Sequence, residues 1–229
     1  MTNDIEKDLK NSAGDYVHAG VGAALSAIPL VGGSVAELFN LVIAPPLEKR
    51  RDEWLLRIYS SLTELQSKVE GFKIENLTKN ELFISVIMQA TQLAVKNHQV
   101  EKLVALQNAV VNCASNISIE ETEQLLFLKF IDDLSVWHLR ILVYFENPNQ
   151  WFIDNGKEKF GSGTPRNALI MAFSELRGRD GFIKVIIRDL YNDGLLIDEN
   201  VNVNMSDSGV FASRTTDFGN EFLRYISQS

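Results

Sequence analysis

The chain has 229 residues, 45% of them hydrophobic and 23% charged, with 14 Gly and 5 Pro; this is a globular composition with no low-complexity tract that would argue for disorder. Its 22 Lys+Arg against 30 Asp+Glu give a formal net charge of -8, which excludes long-range attraction to nucleic acid or anionic lipid unless positive charge gathers on one face. A single cysteine, Cys113, excludes an intrachain disulfide framework and a cysteine-held zinc site.

The opening MTNDIEKDLKNSAGD lacks the basic start and short apolar core of a secretory signal, so a cytoplasmic location is expected. From Tyr16 to Ala36 no residue is formally charged, about the 20 positions needed to cross a hydrocarbon core. The run is rich in Ala, Gly and Ser, however, and Glu37 closes it, which argues against a constitutive span. The breaker cluster IPLVGGS predicts a helical hairpin: one helix through Ile28, a turn over Pro29 to Gly33, and a second helix capped by Ser34. Gly20, Ala23, Ala24 and Ala27 allow close helix packing. The hairpin's candidate membrane-active residues are Leu25, Ile28, Pro29, Leu30, Val31, Gly32, Gly33, Leu38 and Phe39. In texture it resembles the hidden hairpins of pore-forming helical bundles that emerge when triggered, an alternative to simple burial in a bundle.

Beyond Pro45-Pro46 the apolar positions recur at helical spacing. Trp54, Leu55, Ile58, Tyr59, Leu62, Leu65 and Val69 form one stripe, predicting a helix over 46–70. Thr78-Lys79-Asn80-Glu81 fits a capping box with Leu77 and Leu82 as its hydrophobic staple, predicting a helix over 79–96. Leu103, Leu106, Ala109, Val110 and Cys113 mark a third over 99–114, in which Cys113 is expected to be buried. Ser118-Ile119-Glu120-Glu121 fits another box before a helix over 119–133. Ser135 is expected to cap VWHLRILVYF, which Asn147-Pro148 stops. Short connections such as KNHQ imply antiparallel neighbours, so residues 1–150 read as an all-helical bundle domain.

The loop GKEKFGSGT reads as a linker into a second domain, residues 151–229. Thr164-Pro165 restarts a helix; ALIMAFSELR ends at Gly178 and FIKVIIRDLYND at Gly194. LLID and VFASRT read as strands, NVNVN alternates with period two, and DFGNEFLRYI closes as a helix. Helix, turn, helix, ribbon, helix is the order of a winged-helix module. DLYNDGLLID and SRTTDFGNEFLRYI resemble winged-helix domains in their GL-hydrophobic and T-x-x-G-x-x-F patterns. The expected fold is thus mainly α: a multi-helix bundle with an Ala/Gly-rich N-terminal hairpin, followed by a small winged-helix-like α+β domain.

No catalytic, cofactor or metal site is expected. His18, His98 and His138 lack a ligand-like spacing, Glu101 after His98 being an exception beside Lys102. Asp132 and Asp133 are adjacent and point apart on a helix. Gly161-Ser162-Gly163 lacks the lysine of a phosphate loop. On the second helix of the helix-turn-helix, Phe182, Ile183, Ile186, Ile187 and Leu190 form the buried side. Lys184 and Arg188 lie on another face, with Arg177, Arg179 and Arg214 as further candidates for contact with nucleic acid or a protein partner. Residues 161–229 nevertheless hold 7 Lys+Arg against 9 Asp+Glu, and base-reading Asn, Gln or Ser residues are missing from the exposed side of that helix, so a protein partner is the leading expectation.

The blocks ELFISVIMQATQLAVKN, FIDDLSVWHLRIL and TTDFGNEFL, in this layout, resemble bacterial proteins of the Abi-alpha type. That resemblance implies a non-enzymatic regulatory or interaction protein associated with abortive-infection defence against phage.

Overall fold

A computed structural model of the chain describes residues 44–228. The hairpin residues Leu25 to Phe39, the cap at Ser34 and His18 lie outside the described residues. What is described is mainly helical, with one short two-stranded sheet. No helix among the described residues is long and apolar enough to cross a membrane. The chain divides into two compact units, one ending at Ile117 and the other running from Ser118.

In the first unit α1 (Ala44–Lys68), α2 (Glu81–Lys96) and α3 (Val100–Ala114) pack mutually. The three stripes meet in a core of Trp54, Ile58, Leu62, Phe83, Val86, Leu93, Leu106 and Val110. Ala90, Ala94, Ala105 and Ala109 are also buried, and their short side chains let the helix backbones approach. Trp54 fills the space and keeps its polar edge satisfied by donating to Thr91 Oγ1 at 3.0 Å. Cys113 is buried, as its run predicts.

The cap of α2 differs from the expected one. A 3₁₀ turn over Ile74–Lys79 uses the Thr78 hydroxyl, which donates to Glu75 O at 2.8 Å. Asn80 is the N-cap instead, its Oδ1 accepting from Phe83 N at 3.0 Å. Leu77 is buried within the turn.

The second unit is built from shorter helices: α4 (Glu121–Asp133), α5 (Val136–Glu146), α6 (Pro148–Asp154), α7 (Pro165–Ala172), α8 (Asp180–Asn192), a helical turn α9 (Asp207–Val210) and α10 (Asp217–Ile226). Glu120, two residues past the expected Ser118, caps α4 in a reciprocal box with Glu123. Asn147 ends α5 and also caps α6, accepting from Gln150 N at 2.9 Å. Thr164 caps α7 with Pro165 behind it, as expected.

Aromatic rings hold this unit together. Phe127 packs on Phe130, Phe218, Phe222 and Tyr225 with centroids 5.1 to 6.3 Å apart. Tyr144 packs on Trp151, Phe152 and Phe173, and Phe152 on Phe211. These rings draw α4, α5 and α6 into the C-terminal unit, so the division falls at 117/118 where composition pointed to 150/151. The expected linker GKEKFGSGT is an ordered connection inside the unit. Lys157 Nζ donates to Met171 O at 2.8 Å, the Phe160 ring lies 5.4 Å from Phe211, and β1 (Ser162–Gly163) pairs antiparallel with β2 (Met205–Ser206).

The expected ribbon is reduced to one antiparallel bridge, Leu196 to Thr215. Asp198 Oδ1 accepts from Asn200 N at 2.6 Å and Asn200 Oδ1 from Asn202 N at 3.3 Å. Side chains thus take the backbone donors that a strand over NVNVN would need. VFASRT is no strand either, since Val210 ends α9.

α10 docks through the T-x-x-G pattern. Thr216 Oγ1 accepts from Gly219 N at 2.9 Å and donates to Gly194 O at 2.6 Å. A Cβ on Gly219 would meet Leu195 O at 2.3 Å, so only glycine lets the helix approach that backbone.

Candidate functional site: a cleft beside α8

The amphipathic α8 divides its residues sharply. Ile183, Ile186, Ile187 and Leu190 are buried, as the spacing predicts. Lys184, Arg188 and Tyr191, at i, i+4 and i+7, are exposed, with Val185 beside them. Neither Lys184 nor Arg188 makes an ion pair with a described residue, whereas Arg166 pairs with Asp180 and Arg140 with Glu175.

Beside this helix lies a cleft of about 730 Å³, lined by Arg166, Asp180, Lys184, Glu199, Asn200 and Asn202 over Ile183, Ile187 and Val201. Three local features form it. Thr164 and Pro165 start α7 so that Arg166 N donates to Val201 O at 2.9 Å, holding the 199–202 segment against α7. Val201 is buried and pins that segment. The two Asx turns hold Asn200 and Asn202 out of ladder pairing.

The five cations singled out by sequence are not one group. Arg177 and Arg179 are exposed around the turn between α7 and α8, and the Arg179 guanidinium lies 4.0 Å over the Phe182 ring. Arg214 is only 5% exposed. Its guanidinium donates to Gly209 O at 3.2 Å and lies 3.7 Å from Asp198. Burial lowers its pKa, while Asp198 and then Tyr144 work in the opposite direction. Arg214 is therefore a clamp on the 198–209 segment and has no surface to offer a partner. The adjacent Tyr144 is wholly buried, and burial raises its phenol pKa.

One constellation joins residues 135 and 138 to residue 189 and is illegible in sequence. Ser135 N donates to His138 Nδ1 at 3.1 Å, Ser135 Oγ lies 2.8 Å from the same nitrogen, and His138 Nε2 lies 3.6 Å from Asp189 Oδ2. A Ser-His-Asp set invites a catalytic reading. Here Nδ1 already accepts from the backbone N–H of Ser135, so the imidazole serves as the return partner of a helix cap, with its Nε2 proton toward Asp189. No group of three or more His, Cys, Asp or Glu suited to a metal ion occurs among the described residues. His98 is exposed at the start of α3.

The fold and the cleft define a mainly α-helical protein with a mixed-charge groove in its C-terminal unit. No family model, no curated protein and no solved structure matches the chain.

Proposed function

We propose that the chain is a non-enzymatic bacterial regulatory protein that acts through protein contacts, with the C-terminal unit as a winged-helix-like contact module. In this reading α7 and α8 are the helix-turn-helix, the Leu196–Thr215 bridge is the base of a wing, and α10 is the closing helix. The resemblance of its sequence blocks to Abi-alpha proteins supports a role in defence against phage.

The observation that carries the protein-contact reading is the open face of α8. Lys184 and Arg188 are flanked in sequence by Asp180 and Asp189, and Val185 and Tyr191 on the same helix are 43% and 44% exposed. Apolar and aromatic anchors set among both signs of charge are the chemistry of a protein interface. A phosphate-tracking helix would carry cations without the carboxylates.

The second reading is nucleic-acid binding, and it is favoured by the absence of ion pairs at Lys184 and Arg188 among the described residues. Fluorescence anisotropy with duplex DNA at low salt separates the two. The protein-contact reading expects no binding that depends steeply on salt. Salt-steep binding that disappears in Lys184→Glu plus Arg188→Glu would establish the nucleic-acid reading in its place.

A further inference from the structure

The cleft beside α8 carries both signs of charge, Asp180 and Lys184 on α8 and Arg166 and Glu199 opposite, with Arg166 paired to Asp180. Lys184 stands on the helix wall and Glu199 on the facing segment, and neither makes an ion pair with a described residue. Between them the floor is apolar, with Ile183, Ile187 and Val201 buried beneath it. Asn200 and Asn202 add two exposed carboxamides at the rim. The Asn202 carboxamide offers a donor and an acceptor in the pattern of a peptide group, and Asn200, whose Oδ1 accepts from Asn202 N, offers its amide donors. The volume, about 730 Å³, lies in the range of ligand clefts, roughly 300–1,000 Å³.

Charge decides the class of ligand. A phosphodiester would satisfy Lys184 but meet the unpaired Glu199 carboxylate in the same space, while Arg166, already paired with Asp180, adds no free positive charge. A purely apolar ligand would desolvate both unpaired charges without compensation. A polypeptide supplies both signs and a backbone to match the amides.

We propose that this cleft binds an extended polypeptide segment of a partner protein, in which an apolar side chain stands between an acidic and a basic residue. The acidic side chain pairs with Lys184 and the basic one with Glu199. The apolar side chain rests on Ile183, Ile187 and Val201, and the segment's backbone bonds to Asn200 and Asn202. This rests on the protein-contact reading above and adds to it the site and the chemistry recognised.

The test is selection of a random-peptide phage library on the immobilised full-length protein, followed by affinity measurement of the enriched peptides. Enrichment of sequences with an apolar residue flanked by opposite charges is expected. Their affinity falls about tenfold in Lys184→Glu, as loss of a desolvated charge pair implies. It recovers in Lys184→Glu plus Glu199→Lys, where the peptide binds reversed. Both positions are exposed, so an unchanged thermal unfolding curve shows that the fold is intact. Failure to enrich peptides, or affinities indifferent to Lys184→Glu, overturns the cleft proposal. Enriched peptides released by Tyr191→Ala but not by Lys184→Glu also overturn it while leaving the protein-contact reading standing. Preferential capture of duplex DNA by the same immobilised protein overturns both.

Discussion

The two units solve the packing problem differently. The first relies on long aliphatic stripes, with Ala90, Ala94, Ala105 and Ala109 drawing three helices together. The second uses shorter helices whose ends are fixed by caps at Glu120, Asn147, Thr164 and Thr216, and whose core is a network of rings. Periodicity alone dictates the first arrangement. The second depends on side chains distant in sequence, and that is where the cleft is built.

The comparison breaks most readily at Phe127, which touches four other rings. Phe127→Ala is expected to destabilise the second unit by about 3–5 kcal/mol. Hydrogen exchange checks it: amides of α4 and α10 lose protection, while those of α2 keep theirs. Uniform loss in both units would show that they do not differ in this way. Leu106→Ala is the counterpart in the first unit, costing about 2–5 kcal/mol by denaturant unfolding, with protection lost in α1 to α3.

A smaller effect is expected where backbone meets backbone. Gly219→Ala brings a methyl against Leu195 O and is expected to cost about 1–3 kcal/mol. Thr216→Ala, which loses the cap of the same helix, is expected to cost about 1 kcal/mol. A thermal melt of each variant measures both, and a neutral Gly219→Ala would mean that the contact relaxes freely.

The smallest effect is electrostatic. Burial, followed by the charge of Asp189, raises the Asp193 carboxyl pKa; His138 acts to lower it. Asp193 also follows the last residue of α8, where a negative charge opposes the helix dipole. Because its folded pKa lies above its unfolded one, near 3.9, the folded state holds the proton more tightly. Stability therefore falls as pH rises from the unfolded value through the folded one, and stays lowered above it. Asp193→Asn is expected to stabilise by about 0.3–1 kcal/mol at neutral pH, with the gain vanishing in acid. A pH series of melting temperatures checks the sign.

The sequence is legible where physics is local. The helices over 44–68, 81–96 and 100–114 follow directly from stripes such as Trp54, Ile58 and Leu62. Caps slip by two residues where a neighbour competes, as when Thr78 bonds back to Glu75 and leaves the role to Asn80. The alternation of NVNVN misleads because Asp198 and Asn200 take the backbone donors. Lys184 and Arg188 are readable as an exposed pair from the buried isoleucines between them. Arg166, Glu199, Asn200 and Asn202 are not, since long-range contacts such as the Arg166 to Val201 hydrogen bond bring their segments together. Arg214 reads as a surface cation, yet Asp198 and Gly209 hold it buried.

In the proposed reading the open face of α8 meets protein. A photoreactive amino acid placed at position 188 of the full-length protein, irradiated in its native cells, tests this most directly. Discrete protein adducts are expected, and they are absent when the same group replaces Glu158, an exposed position outside α8. Adducts formed with nucleic acid alone would contradict it.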